Sequence, residues 1–193
     1  SWGIEFASDP SYPAWREVLR QNAEAGYKGI ELGPVGYMPE DPSELGEALS
    51  EFDLELIGGV VFRPYHDVNA WDDVLDGTVR TCKALAAHGA QHLVLIDSIS
   101  PRRAPTAGRA DEAEQMDKAE WIAYRDRIAE TAKIGVDHGL TVGIHAHAGG
   151  FMDFEPELER LLDEVDESIL KICFDTGHHS YAGFDPVAFM KRH

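Results

Sequence analysis

Basic residues are scarce in this sequence. Its 193 residues hold 17 Lys and Arg against 35 Asp and Glu, a formal net charge of −18. That balance argues against a nucleic-acid binder, which needs clustered cations to meet phosphates. Long apolar runs are missing as well. No stretch approaches the roughly 18 residues of a membrane span, and no charged n-region with an apolar h-region marks a secretory signal. The expectation is a cytoplasmic protein with no nucleic-acid and no membrane partner. Cysteine is limited to Cys82 and Cys173, without CxxC spacing, so two reduced core thiols are expected and not a disulfide framework. Nucleotide fingerprints are absent too: the first apolar run leads into Ala7-Ser8-Asp9-Pro10, not GxGxxG, and no GxxxxGK[ST] occurs. No organic redox cofactor is inferred.

What is present is a core-forming chain, 44% hydrophobic, that alternates two periodicities. Short runs rich in Val, Ile and Leu lie at Gly3–Ala7, Gly29–Gly33, Leu54–Phe62, His92–Asp97, Thr141–His147 and Ile169–Asp175. Their near-continuous hydrophobicity marks parallel strands buried on both faces. Helical stripes separate them. Trp15, Val18, Leu19 and Ala23 follow a candidate Ser11 cap and Pro13, and Pro42–Glu51 reads as a short helix. Trp71, Val74, Leu75, Val79, Cys82 and Leu85 form the next stripe, then Trp121, Tyr124, Ile128 and Ala132, then Leu158, Leu161, Leu162 and Val165. Gly26, Gly89 and Gly139 each stand where a helix returns to a strand, a place for the left-handed conformation. Six such βα units fit either an open doubly wound sheet or part of a (β/α)8 barrel, with ligands at the strand C-termini in both. The stretch Ser98–Asp117, with Arg102, Arg103 and Arg109, has no regular pattern and reads as a lid or a mobile insert.

Ionisable residues collect at those strand ends. Glu31 ends the second strand, His66 follows the third, and Asp97 closes the fourth. His145 and His147 end the fifth, two residues apart and so on one face. Asp175 ends the sixth, ahead of His178 and His179. Imidazole and carboxylate together suit Mn, Co, Zn or Fe. Each residue alone has a structural reading, as a loop cap or a buried hydrogen-bond partner. Four ligand-type residues, His145, His147, Asp175 and His178, on two successive strand ends point instead to a functional site. His88, His92 and His138 sit at the opposite ends of the elements and are expected to be structural.

Three segments carry a resemblance. Gly29-Ile-Glu-Leu-Gly-Pro-Val-Gly-Tyr-Met-Pro, His145-Ala-His-Ala-Gly-Gly-Phe and Phe174-Asp-Thr-Gly-His-His-Ser-Tyr-Ala-Gly-Phe-Asp-Pro are similar to segments of the sugar phosphate isomerase/epimerase superfamily. Its members are xylose-isomerase-like TIM barrels, and the chain looks most like the inosose dehydratase (2-keto-myo-inositol dehydratase) group within it. The resemblance implies an α/β fold, a (β/α)8 barrel present here as a single domain of about six βα units over residues 1–193. It also implies a divalent metal, with Mn or Co favoured and Zn, Mg or Fe as alternatives. Asp175 matches the family's strand-six metal ligand, and His145 stands where the family commonly has a strand-five Glu. His147 and His178 match positions that usually meet the substrate or support the groups that do, and Glu31 matches a strand-two acid facing the pocket. The expected assignments are Glu31, His147 and His178 as catalytic residues, His66, Asp97 and His145 as substrate-binding, and Asp175 with His145 as metal ligands.

The implied reaction is loss of water from a cyclic keto-polyol by α-proton abstraction and departure of a β-hydroxyl. Isomerisation or epimerisation of a sugar or sugar phosphate through an enediolate is the alternative. An abasic-site endonuclease and a non-catalytic polyol-binding fragment stand further off. Successive strands advance by about 34 residues, so eight units would take about 270, near the usual barrel size. The sequence is therefore expected to be roughly three-quarters of a barrel, with an apolar seam prone to homo-oligomeric association.

Overall fold

The structure is a computed structural model that describes residues 3–4, 6–7 and 9–193. In chain order its elements are α1 (Trp15–Glu24), β1 (Gly29–Glu31), α2 (Pro42–Glu51), β2 (Glu55–Arg63), α3 (Trp71–Ala87), β3 (His92–Asp97), α4 (Lys118–Asp137), β4 (Thr141–His145), α5 (Glu155–Glu164), β5 (Lys171–Ile172), α6 (Thr176–Tyr181) and α7 (Pro186–Met190). The strands form one parallel sheet in sequential order, β1-β2-β3-β4-β5. Such an order, with a helix at each crossover, is part of a barrel wall and excludes the doubly wound alternative, whose strand order reverses.

Local chemistry sets the boundaries. Asp41 caps α2 by accepting from the N–H groups of Ser43 and Glu44 at 2.8 and 3.1 Å. Asp117 caps α4 in the same way, and Glu120 reaches back to the Asp117 N–H at 2.9 Å. Gly26, Gly89 and Gly139 take φ of +90°, +70° and +81°, the left-handed turns that end α1, α3 and α4. Ser11 does not cap α1. Ala14 precedes the helix, while the Ser11 N–H and hydroxyl both turn to Asp9 at 2.8 and 2.5 Å, because an aspartate two residues back competes for them.

The expected Gly29–Gly33 and Thr141–His147 each end two residues early, at Glu31 and His145, and two other expected strands differ more. Of Gly3–Ala7, Glu5 lies outside the described residues, and Gly3, Ile4, Phe6 and Ala7 are not in a strand; Ile4 instead packs against the core cluster. The expected Ile169–Asp175 contracts to β5, with one further bond from the Cys173 N–H to the Ile144 carbonyl at 2.9 Å. Asp175 then turns the chain by capping α6 through the His178 N–H at 2.8 Å.

Alternation along the strands separates two faces. Leu93, Leu95, Val142 and Ile144 are buried beneath the helices. Gly135 brings α4 so close that a methyl group there would stand 2.5 Å from Val142 and 3.0 Å from Leu93. The opposite face carries half-buried Val60, Phe62, Val94 and Ile96. Register aligns Phe62 with Ile96, and Ile96 with His145, in one cross-strand row. That row leads to the site.

The Ser98–Asp117 segment is anchored and not a free insert. Arg103 is 1% exposed and pairs with Glu157 of α5 at 2.7 Å, and it also donates to the Glu114 carbonyl at 3.0 Å. Its guanidinium lies over Phe151 and Phe154 at 5.2 and 4.9 Å. Arg102 pairs with Glu114 and Glu120, and Arg109 with Glu112. All three arginines thus spend their charge inside the segment and against α4 and α5. Cys82 is buried in the inner stripe of α3 and Cys173 is half-buried, both as free thiols.

Candidate active site

β4 ends at His145, which sits on the face opposite the fully buried Ile144. The chain then makes a tight turn through residues 147–152. The His147 N–H donates to the Met152 carbonyl at 2.8 Å and the Gly150 N–H to the His147 carbonyl at 3.2 Å. Gly149 has φ of +84°. Gly150 lies so near β3 that a Cβ there would be 2.9 Å from the Asp97 carbonyl oxygen. The Ser100 N–H, from the anchored segment, donates to the Gly149 carbonyl at 2.9 Å.

This turn brings three imidazoles together. Ring centroids are 6.0 Å apart for His145 and His147, 5.2 Å for His145 and His178, and 4.4 Å for His147 and His178. Asp175 closes the group: His145, Asp175 and His178 each present a donor atom within 4.8 Å of the others. Burial, reinforced by the neighbouring His178 and His147 and opposed by Asp175, lowers the His145 pKa to about 4. The ring is therefore neutral near pH 7, the form that binds metals. The His178 backbone N–H holds the Asp175 carboxyl below its ordinary value, against a smaller desolvation effect. The neutral His145 imidazole and the Asp175 carboxylate are donor types that suit a borderline divalent cation.

One peptide sets the hydrogens on two of the rings. The Ala148 N–H donates to Nδ1 of His178 at 3.3 Å, while Nδ1 of His147 lies 3.0 Å from the Ala148 carbonyl oxygen. A carbonyl only accepts and an N–H only donates. These contacts assign the proton of neutral His147 to Nδ1, leaving its Nε2 as an acceptor. They assign the proton of neutral His178 to Nε2, leaving that atom as a donor. An acceptor nitrogen and a donor N–H therefore stand side by side.

The other expected site residues divide. Glu31 is exposed and shares with His147 the wall of a cavity of about 310 Å³, which Val60, Phe62, Arg63 and Ile99 also line. Cys173 lies within reach of its charge: burial foremost, then Glu31 and Asp175, raises the thiol pKa. His66 and Asp97 form a separate pair, Nδ1 to Oδ1 at 2.8 Å. Asp97 is 1% exposed and its second oxygen accepts from the Phe151 N–H at 2.8 Å. Asp97 shares its strand parity with Leu93 and Leu95, so it faces the helix side, where it orients His66 and fastens the 147–152 turn. His138 caps α4 through its own ring, Nδ1 to the Ile134 carbonyl at 2.8 Å. Sequence reasoning missed Ala148, whose peptide carries no side-chain signal, and Arg63, one residue past the expected end of its strand.

Comparisons with known proteins agree with this architecture. A family model described as a xylose isomerase-like TIM barrel matches residues 19–192. The chain is 26% identical over 182 residues to an inosose dehydratase of Geobacillus kaustophilus, covering 92% of this chain and 58% of that protein. It thus spans less than two thirds of that relative's length. Among solved structures it resembles the probable 3-DHS dehydratase AsbF of Bacillus anthracis, with a TM-score of 0.71 and 19% identity over 95% of this chain and 65% of that one. It also resembles the IolI protein with a bound zinc atom, with a TM-score of 0.70 and 12% identity over 90% of this chain and 62% of that one. No helix among the described residues is long and apolar enough to cross a membrane. With a parallel sheet in barrel order, a histidine-lined mouth and a model match over most of its length, the chain belongs to the xylose isomerase-like TIM barrel family.

Proposed function

We propose that this site removes water from a cyclic keto-polyol. The observation that carries the reading is the pair His147 and His178, held 4.4 Å apart in opposite tautomers by the Ala148 peptide. Nε2 of His147 takes the proton from the carbon beside the ketone. The released electron pair forms the C=C bond as the C–O bond to the neighbouring hydroxyl breaks. The protonated His147 passes that proton on to the departing oxygen, which leaves as water and returns the ring to its neutral form, while the Nε2–H of His178 donates a hydrogen bond to the same oxygen. Glu31, on the same cavity wall, accepts hydrogen bonds from substrate hydroxyls.

His145 and Asp175 would hold a divalent cation, with the Nε2–H of His178 kept as a hydrogen-bond donor by the ring's contact to Ala148. When bound, the cation supplies Lewis acidity to the substrate ketone oxygen. The similarity to inosose dehydratase, at 26% identity, supports a ring ketone as substrate.

The test is incubation of the purified chain with scyllo-inosose and Mn²⁺ or Co²⁺ in D₂O, followed by proton NMR. Loss of water to an unsaturated or dione product supports the reading. Deuterium uptake or epimer formation without water loss replaces it with the isomerase or epimerase alternative. If neither occurs, and His147→Ala and His178→Ala bind inosose as the parent does, the reading fails.

A further inference from the structure

The middle of the histidine-bearing turn can be built in two ways. The Gly150 N–H donates to the His147 carbonyl at 3.2 Å, so Ala148 and Gly149 are the two central residues of a β-turn. Gly149 has φ of +84° and Ala148 is not left-handed, the pattern of a type II turn. Types I and II differ by about half a revolution of the central peptide, here the one joining Ala148 to Gly149. That peptide is trans, so its C=O and N–H point in opposite directions. Whatever holds the Gly149 N–H therefore aims the Ala148 carbonyl, which meets Nδ1 of His147 at 3.0 Å.

Asp153 holds that N–H. Its Oδ2 accepts from Gly149 at 3.0 Å and from the Gly108 N–H at 3.3 Å. A carboxylate only accepts, and bonds to a charged acceptor are stronger than neutral ones. The N–H is thus turned towards Asp153 and the carbonyl away from it, onto the imidazole. Asp153 is 2% exposed, and its Oδ1 is buried without a hydrogen-bond partner among the described residues. An unmet buried acceptor lowers stability, so packing alone gives no reason for a carboxylate here. The Ser98–Asp117 segment meets the same turn twice. Gly108 shares the Asp153 oxygen, and the Ser100 N–H donates to the Gly149 carbonyl at 2.9 Å. Gly108 also packs on α6, the helix of His178, where a Cβ would stand 2.7 Å from the Tyr181 ring.

We infer that Asp153 is a positioning residue: it locks the 148–149 peptide in the type II orientation and so keeps the proton of neutral His147 on Nδ1 and its Nε2 as the acceptor. In the flipped turn the Gly149 N–H would replace the Ala148 carbonyl beside His147, Nδ1 would become the acceptor, and the proton would move to Nε2. The Ala148 N–H belongs to the preceding peptide, so His178 keeps its tautomer in either turn. The use of His147 as a base rests on the function proposed above; the lock does not.

The test is ¹⁵N-histidine NMR of the full metal-free chain at about pH 8, above the ordinary imidazole pKa, where each neutral ring shows which nitrogen carries its hydrogen. The parent is expected to carry it on Nδ1 in His147 and on Nε2 in His178. Asp153→Ala should move the His147 proton to Nε2 and leave His178 unchanged, whereas a general loosening of the turn would disturb both rings. Asp153→Asn retains an acceptor oxygen and should retain the parent tautomers. Gly149→Ala penalises the positive φ and should give the Asp153→Ala pattern with the carboxylate in place. A parent His147 protonated at Nε2, a His147 tautomer that survives Asp153→Ala, or a joint change in both rings would overturn the inference. Should Asp153→Ala not fold, Gly149→Ala decides, and a parent tautomer there overturns the lock. Because no turnover is read, a failed dehydration assay with the tautomer switch intact sinks only the proposed reaction.

Discussion

Replacing Arg103 by methionine tests whether the Ser98–Asp117 segment is a built wall. The guanidinium is 1% exposed and Glu157 only 11%, with Nη1–Oε1 at 2.7 Å and Nη2–Oε2 at 3.2 Å. Glu157 Oε2 also accepts from the Asp153 and Phe154 N–H groups at 3.0 Å each. Methionine keeps most of the volume against Phe151 and Phe154 but strands a buried carboxylate. Breaking one side of such a pair costs about 3–5 kcal/mol, a large part of a usual total of about 5–15. For a urea slope of about 2 kcal/mol/M, the midpoint falls by roughly 2 M, readable by tryptophan fluorescence. Burial already raises the Glu157 pKa, and Arg103 opposes that rise. Without Arg103 it rises further, so the folded state binds more protons than the unfolded one above the unfolded carboxylate pKa. Stability then falls as pH increases, and the variant's deficit shrinks on acidification towards the ordinary carboxylate range. Arg103→Met with Glu157→Met removes both charges and should recover much of the loss. A deficit below about 1 kcal/mol, or one independent of pH, would refute the buried pair as the anchor.

Further expectations concern the site. Calorimetry with Mn²⁺ or Zn²⁺ should show that His145→Ala and Asp175→Ala abolish binding, while His178→Ala keeps affinity within the roughly 10–100-fold span of changes outside the ligand set; loss of all binding in His178→Ala would make it the third ligand. The His145 pKa of about 4 against an ordinary 6.5 means that the unfolded state binds the extra proton first as pH falls. This contribution is intact above about pH 6.5, is lost as pH drops towards 4, and is on the order of 2–3 kcal/mol; thermal melts of the metal-free chain should lose that slope in His145→Gln. Asp97→Ala leaves the buried Phe151 N–H without an acceptor and should cost about 1–3 kcal/mol, with the His66 tautomer no longer fixed in ¹⁵N NMR.

Legibility in the sequence followed strand parity. The alternation His145-Ala146-His147 put two imidazoles on one face, and Asp175 with His178 fell on the next strand end; the structure brings these four together although β4 stops at His145 and β5 covers only two residues. The same counting, carried one step further, places Asp97 on the helix side with Leu93 and Leu95, which are buried there. Parity also places Arg63 with Val61 on the helix side of β2, which is why its guanidinium reaches Gly77 and not the sheet's open face. What pattern could not carry is the burial of Arg103, since an arginine in a polar loop reads the same whether solvated or paired. Nor could it carry the part played by Ala148. Its side chain is mute, yet its N–H and C=O face two different rings. The division of labour between His147 and His178 is written in a peptide, and a peptide's orientation depends on the turn that Asp97, Ser100 and Asp153 hold from three separate segments. The chemistry proposed for the site is thus a property of that turn, and substitutions that loosen it should blur the base and the hydrogen-bond donor without touching either imidazole.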